Sequence, residues 1–364
     1  MPRRGENVFR RKNGLWEARY VKEIDADGKK KYGSVYAHSY REVKEKRQGV
    51  LDSILICQKP ATSRSITVET LVKEYLCIKR NRLKISTYQR YDSFFKKHIE
   101  PTVGKCSIIY FTTLAIHEFA GNRLNAGLAP QTINSILVFL HSCLKYGQRQ
   151  YNLPLPEIPY LAENKKEMRV LSVEEQRRLV RYLHQDTDVY KFGVLLTLYT
   201  GLRIGELCAL HWNDLANGRI KVRKTMQRVR STTGPGTELW IGPPKTETSM
   251  REIPVPSFLV ALVERFRLEN QGQAYVLGTP KMPIVEPRVM QYKFKRYLLE
   301  AEIEHANFHS LRHSFATRSV ECGFDVKSLT EILGHAKVQI TLDRYVHSSF
   351  ALKCSNMEKL RQIL

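Results

Sequence analysis

Apolar positions change period along the chain, and each change marks a different kind of element. Near the start they alternate with polar ones. Trp16, Ala18 and Tyr20 fall on one face of a strand from Leu15 to Val21, with Glu17 and Arg19 on the other. Val8 to Lys12 and Lys31 to Ala37 read as the flanking strands. Asn13-Gly14 and Asp25-Ala26-Asp27-Gly28 supply the turns between them. Ser39 then caps a helix through Leu55.

After the polar linker Lys59-Pro60-Ala61-Thr62-Ser63-Arg64-Ser65 the period becomes helical. The pattern predicts helices over Val68–Arg80, Tyr88–Ile99, Leu114–Asn125 and Pro130–Tyr146, with Pro101 ending the second and Gly127 stopping the third. A proline-rich stretch holding Pro154, Pro156 and Pro159, continuing through Asn164-Lys165-Lys166, reads as a second linker. Beyond it, Ser172-Val173-Glu174-Glu175 is a capping-box signature and Phe192–Tyr199 a buried helix. Strand signals follow at Arg219–Val229, Glu238–Ile241 and Arg251–Val255, then helices at Pro256–Asn270 and Arg288–Glu304. His309 opens another helix, and Gly334 closes one. The fold class is multidomain α+β. A small sheet with one helix occupies residues 1–58, an all-α domain 66–152, and a mainly α domain with a small antiparallel sheet and a C-terminal tail 168–364.

Charge adds what the pattern cannot. Lys plus Arg number 59 against 36 Asp plus Glu, a formal net charge of +23 spread over every segment. Such an excess calls for a polyanionic partner, first of all nucleic acid. Arg10, Arg11, Lys12, Arg19, Lys29, Lys30 and Lys31 concentrate on the first module. They fit a sheet laid in a DNA groove, or else a solvated basic face. Lys84, Arg90, Lys96 and Lys97 fit a phosphate backbone, or else an ordinary helical bundle. The seven cysteines are scattered, odd in number and without a CxxC pair, which speaks against a disulfide framework or a zinc module. The N-terminal stretch has no apolar signal-peptide core, and Phe192–Tyr199 is far too short to span a bilayer. A soluble intracellular protein is the expectation.

The stretch from Asn307 to Tyr345 carries the candidate chemistry. Transfer of a phosphodiester without a metal requires fixed cations against the non-bridging oxygens, a nucleophile and a proton donor for the leaving oxygen. Arg203 and Arg312 have the forked, permanently charged group for the first task, though a lone arginine is more often a surface ion pair. His309 shares a helix face with Arg312. His309 and His313 have zinc-ligand spacing, but the glutamate of a zinc-protease helix is missing and Arg312 lies between them. His335, after Leu333-Gly334, is a further donor to phosphate. Lys245, in a turn between two strand signals, suits protonation of a departing oxygen, with Lys224 on the preceding strand the next lysine to consider. Tyr345 is the candidate nucleophile, one of 18 tyrosines and singled out by its spacing from Leu333-Gly334-His335.

TGLRIGE at 200–206, PPKTETSMREIPV at 243–255, HSLRH at 309–313, LGH at 333–335 and LDRY at 342–345 together resemble the tyrosine recombinase (phage integrase) family in order and spacing. The resemblance covers about residues 168–350. It implies Arg203, Lys245, His309, Arg312 and His335 as the phosphate-activating set, Tyr345 as nucleophile and Glu206 as a supporting acid. By the same resemblance, residues 66–152 are similar to a core-binding domain. Residues 1–58 are similar to the arm-binding module of integrases from conjugative transposons and phages. A site-specific DNA recombinase for a mobile element is implied, cutting through a 3′-phosphotyrosine without metal or nucleotide cofactor. The implied setting is the bacterial cytoplasm. The implied partners are double-stranded DNA at core and arm-type sites, three further copies of the chain, and DNA-bending or excision accessory proteins. Two rivals stand beside it: a type IB-like topoisomerase, and a DNA-binding protein with an inactive site.

Overall fold

The computed structural model describes residues 7–11, 14–24, 30–57, 66–163, 168–231, 234–244, 247–345 and 357. The chain forms two compact units, residues 1–165 and 166–364.

The first unit opens with strands β1 (Val8–Arg10), β2 (Trp16–Ile24) and β3 (Lys30–Ala37), an antiparallel sheet in that order. Helix α1 (Tyr40–Cys57) covers one face. Alternation explains the sidedness: Val8, Ala18 and Ala37 are buried with Val43 of α1, and Trp16 meets Tyr40 edge-on. The opposite face carries Phe9, Glu17 and Tyr36, paired across the three strands. Lys12, Asn13 and Asp25 to Lys29, including most of both turn signals, lie outside the described residues.

The helical part of this unit has its own core. It comprises α2 (Val68–Lys79), α3 (Ile85–Phe94), α4 (Glu100–Val103), α5 (Thr113–Asn125) and α6 (Pro130–Tyr151). Leu71, Phe95, Ile99, Ile116, Ile133 and Leu137 are buried together. Two expectations need correction. The second helix does not stop at Pro101. A wide turn over Phe95–Ile99 carries α3 into α4, and the Glu100 N–H reaches back to the Phe95 carbonyl. Proline clashes with the carbonyl four residues back in a regular helix, and the locally widened turn replaces that geometry. The proline-rich stretch after α6 is also no free linker as far as residue 163. Asn134 donates from Nδ2 to the Leu161 carbonyl and accepts from the Leu161 N–H, both at 2.9 Å, and Ile158 joins the core.

The second unit begins at α7 (Val173–His184), where Ser172 and Glu175 form the expected capping box. Helix α8 (Val189–Thr200) is buried along nearly its whole length, which explains why its sequence lacks a polar stripe. The short α9 (Ile204–Cys208) leads to β4 (Leu215–Ala216), β5 (Arg219–Val222), β6 (Thr225–Arg230), β7 (Thr237–Gly242) and β8 (Arg251–Pro254). Then come α10 (Ser257–Glu269), α11 (Pro287–Glu300), α12 (His309–Glu321), α13 (Val326–Leu333) and α14 (Val338–Tyr345). Leu195, Phe192, Leu207, Ile220, Phe294 and Leu311 join in one large core.

The single strand expected over Arg219–Val229 is two. β5 pairs with β8 in a sheet ordered β4-β5-β8, whereas β6 pairs with β7 in a separate hairpin. Lys224 therefore lies exposed between strands, not on one. The connection from β7 to β8 is likewise no hairpin tip. It crosses between sheets, with a tight turn at Glu247–Ser249 among its described residues. Lys245 and Thr246 fall in this connection and lie outside the described residues. Among the described residues no helix is long and apolar enough to cross a membrane.

Candidate active site

Arg312 projects from the first turn of α12 and is 1 % exposed. Its Nη1 donates to the Gly201 carbonyl at 2.7 Å and its Nη2 to the Leu333 carbonyl at 2.6 Å. Both acceptors sit at helix C-termini, where unpaired carbonyls carry partial negative charge. Thr200 ends α8 and Gly201 turns left-handed at φ +67°, while Leu333 ends α13 and Gly334 does the same at φ +63°. Two glycine-stopped helices thus aim their last carbonyls at one guanidinium. Burial lowers the Arg312 pKa to about 9, assisted by Arg203 and Arg251 and opposed by Glu206 and Tyr345. The group stays cationic at neutral pH.

Arg203 and Glu206 sit three residues apart at the start of α9. Glu206 accepts from the Arg203 backbone N–H at 3.0 Å and from Nη1 at 2.8 Å. The other Arg203 nitrogen, Nη2, donates to the Gly334 carbonyl at 3.2 Å. A third arginine closes the cluster. Arg251, at the head of β8, forks both terminal nitrogens onto the two Glu206 oxygens, at 3.1 and 2.9 Å. Its Nε donates to the Ile332 carbonyl at 2.5 Å, and Nη1 also reaches the Ser249 carbonyl at 3.0 Å. Burial pushes the Glu206 carboxyl up, but the charges and donors of Arg251 and Arg203 outweigh it, and the net shift is downward. Gly334 has no room for a side chain. A Cβ there would stand 2.9 Å from Arg251 Cδ and 3.1 Å from the Thr248 carbonyl oxygen.

Tyr345 ends α14 and is 5 % exposed, packed with Ala316, Leu329 and Leu333. Its hydroxyl lies 2.7 Å from His313 Nδ1. The His335 ring stacks parallel to the Tyr345 ring, 7° between planes and 6.2 Å between centroids. His335 Nδ1 is 2.9 Å from Thr341 Oγ1, which in turn accepts from Thr330 Oγ1 at 2.9 Å. His309 meets His313 edge-on, with centroids 4.5 Å apart.

Arg203, Glu206, His309, Arg312, His335 and Tyr345 are therefore linked through direct contacts or one shared neighbour. Lys245 is the exception, being outside the described residues. Two further residues join this cluster that the sequence alone does not mark as site residues. Arg251 belongs to the stretch 243–255, and no local pattern marks it, because its partners are 45 and 81 positions away. His313 was weighed only as a zinc ligand. Among the described residues no three His, Cys, Asp or Glu side chains gather as a metal site.

Residues 169–351 match the model of the phage integrase family, and residues 67–123 match the N-terminal SAM-like domain of phage integrases. The ICEBs1 integrase of Bacillus subtilis is 24 % identical over 304 residues, 80 % of this chain and 81 % of that protein. Among solved structures, the Tn1549 transposon integrase in complex with a circular intermediate DNA superposes with TM-score 0.70 at 22 % identity, covering 81 % of this chain and 100 % of that one. A λ integrase tetramer bound to a Holliday junction gives TM-score 0.59 at 16 % identity, covering 96 % of this chain and 99 % of that one. With the family model spanning half the chain, this chain belongs to the phage integrase family of tyrosine recombinases.

Proposed function

We propose that this site-specific recombinase integrates and excises a mobile element, with Tyr345 attacking the scissile phosphate to leave a 3′-phosphotyrosine and a free 5′ hydroxyl. One observation carries the reading. Tyr345 packs against Leu333, whose carbonyl accepts from the buried Arg312, and the next carbonyl, that of Gly334, accepts from the part-exposed Arg203. Arg203 and Arg312 take the non-bridging oxygens, since among the described residues each has N–H groups beyond those used on carbonyls and on Glu206. His309 and His335 add donors to the same phosphate. Lys245 protonates the departing 5′ oxygen. Glu206 holds Arg203 in place. Rejoining runs the same path backward when a 5′ hydroxyl of the partner strand attacks the phosphotyrosine.

Residues 168–364 form the catalytic domain in this reading, and residues 66–152 clamp the core site with it. Residues 1–58 hold a distant arm-type site through the basic sheet face. Four copies act together on paired sites, with tails exchanged between neighbours, and accessory DNA-bending or excision proteins set direction. The work takes place in the bacterial cytoplasm on DNA. The test is direct. A nicked duplex carrying the junction sequence that flanks the gene is incubated with protein, and adducts surviving denaturant are counted. Wild type traps DNA covalently, and Tyr345→Phe binds without trapping. An adduct from the Phe variant would assign the attack to another residue.

A further inference from the structure

We propose that His313 is the base that receives the Tyr345 proton as the phenol attacks, a role that rests on Tyr345 being the nucleophile. The unperturbed phenol has a pKa near 10, so at neutral pH the hydroxyl must shed its proton during attack. Nδ1 of His313 is in hydrogen-bond reach, at 2.7 Å from Oη. That distance is within the range a proton-abstracting group requires. His335 is placed differently. Its ring lies parallel to the phenol at 6.2 Å, and its Nδ1 is engaged by Thr341. His313 is 6 % exposed and sits one residue after Arg312 on the same helix, so the base and the phosphate-facing cation are positioned by one rigid element.

The step balances. The Oη–P bond forms and the P–O5′ bond breaks. The phenol proton moves to His313 Nδ1, and O5′ takes its proton from Lys245. On rejoining, the tyrosinate leaves phosphorus and recovers its proton from His313. An imidazolium here stands among like charges. His309 and Arg312 lie beside it on α12, His335 lies across the phenol, and Arg203 and Arg251 act on the same neighbourhood, with Glu206 as the opposing charge. The entering phosphodiester supplies further negative charge to the pocket.

The experiment measures single-turnover adduct formation on the nicked flanking-junction duplex from pH 6 to about 9.5. It compares wild type with His313→Asn, which keeps a hydrogen-bonding group of similar reach but is no base. We expect His313→Asn to bind DNA as wild type does and to cleave about 10²-fold slower or worse at pH 7. Its rate should climb about tenfold per pH unit as the phenol ionises unaided, whereas the wild-type rate levels off earlier. Replacing Tyr345 by 3-fluorotyrosine, whose phenol is more acidic, should restore part of the loss in His313→Asn. A near-normal rate in His313→Asn would overturn the proposal. So would a faster one, which marks a resting latch, or a slow one unmoved by pH and fluorination, which marks positioning alone. Those results leave Tyr345 as nucleophile untouched. Absence of any wild-type adduct, or an adduct from Tyr345→Phe, removes both readings together.

Discussion

The same device appears twice in this chain, at two depths. On the outer face of the first sheet, Glu17 is 3 % exposed and gathers Arg11 at 2.5 Å, Arg19 at 3.3 Å and Ser34 at 2.7 Å. In the second unit, Glu206 is also 3 % exposed and gathers Arg203 and Arg251. The carboxylates are alike, but the arginines are not. Arg11 and Arg19 keep about half of their side-chain surface in water, 49 % and 53 %, whereas Arg251 keeps 6 % and Arg203 33 %. Water screens the first pair, whose guanidinium groups lie over the Tyr36 and Phe9 rings and stay half exposed to an external anion. The second has given up that freedom at one arginine to fix the other. A buried carboxylate can therefore serve as a loose tether or as a rigid anchor, and the depth of its cations decides which.

The most damaging way to break the anchor is Glu206→Ala. Arg251 would keep its burial and lose both carboxylate bonds, and Arg203 would lose its side-chain anchor. Removing one partner of a buried pair costs about 3–5 kcal/mol because the survivor is stranded. We expect that loss in urea unfolding of the full chain, with adduct formation falling alongside it. A loss under about 1 kcal/mol would place Glu206 with the exposed pairs instead. Next comes Arg251→Lys, which keeps the charge and deletes the fork. Hydrogen bonds to charged groups are worth about 1.5–3 kcal/mol. Cleavage should drop by roughly ten- to a hundredfold, with DNA affinity little changed. Unchanged cleavage would mean that Arg251 only fills space.

A smaller lesion separates backbone strain from crowding at the glycine between these arginines. Gly334 sits at φ +63°, where an ordinary side chain costs roughly 1–2 kcal/mol. Its missing Cβ also leaves room for Arg251. Gly334→Ala meets both penalties, and Gly334→Asn relieves part of the first, since asparagine tolerates left-handed backbone. If crowding against Arg251 dominates, both variants lose a similar amount of thermal stability. Recovery by Asn would assign the effect to the backbone.

These clusters also show what a sequence discloses and what it withholds. Local devices were legible. Ser172 and Glu175 announce a capping box, Gly334 announces a helix stop, and Trp16-Ala18-Tyr20 announce a half-buried strand, because each is decided within a few residues. Side chains suited to phosphate chemistry can be proposed from residue type and motif spacing, and of those proposed the fold gathers Arg203, Glu206, His309, Arg312, His335 and Tyr345. The anchor could not be read, since Arg251 meets Glu206 only when β8 and α9 are brought together by the fold. The tether was half visible: Glu17 and Arg19 were placed on one face, but the register that brings Ser34 beside them belongs to β3. The sheet switch between β5 and β6 was missed because two adjacent strand signals do not say which partner each will take. Pro101 misled because a widened turn lets a helix pass a residue that normally stops it.

The gentlest test addresses the tether. Hydrogen bonds from Arg11 and Ser34 hold the Glu17 carboxyl down from an ordinary 4.5 to about 2, against the upward pull of its burial. A carboxylate whose folded pKa lies below its unfolded pKa contributes stability that is complete above about pH 4.5. As the pH falls from there towards about 2, the unfolded chain takes up the proton first and that contribution is lost. Glu17→Gln has no such proton to take up. Its module should be somewhat less stable than wild type at neutral pH, and the two should converge as the pH falls through this window. The effect is the smallest of the set because both arginines are half in water. Trp16, against α1, reports the module's unfolding once Trp212 and Trp240 are replaced by Phe. Urea midpoints taken at intervals between pH 6 and about 2.5 give the comparison. A constant gap between Glu17→Gln and wild type across the whole range would show that Glu17 acts by packing and not by charge. The tether and the anchor would then share only a shape.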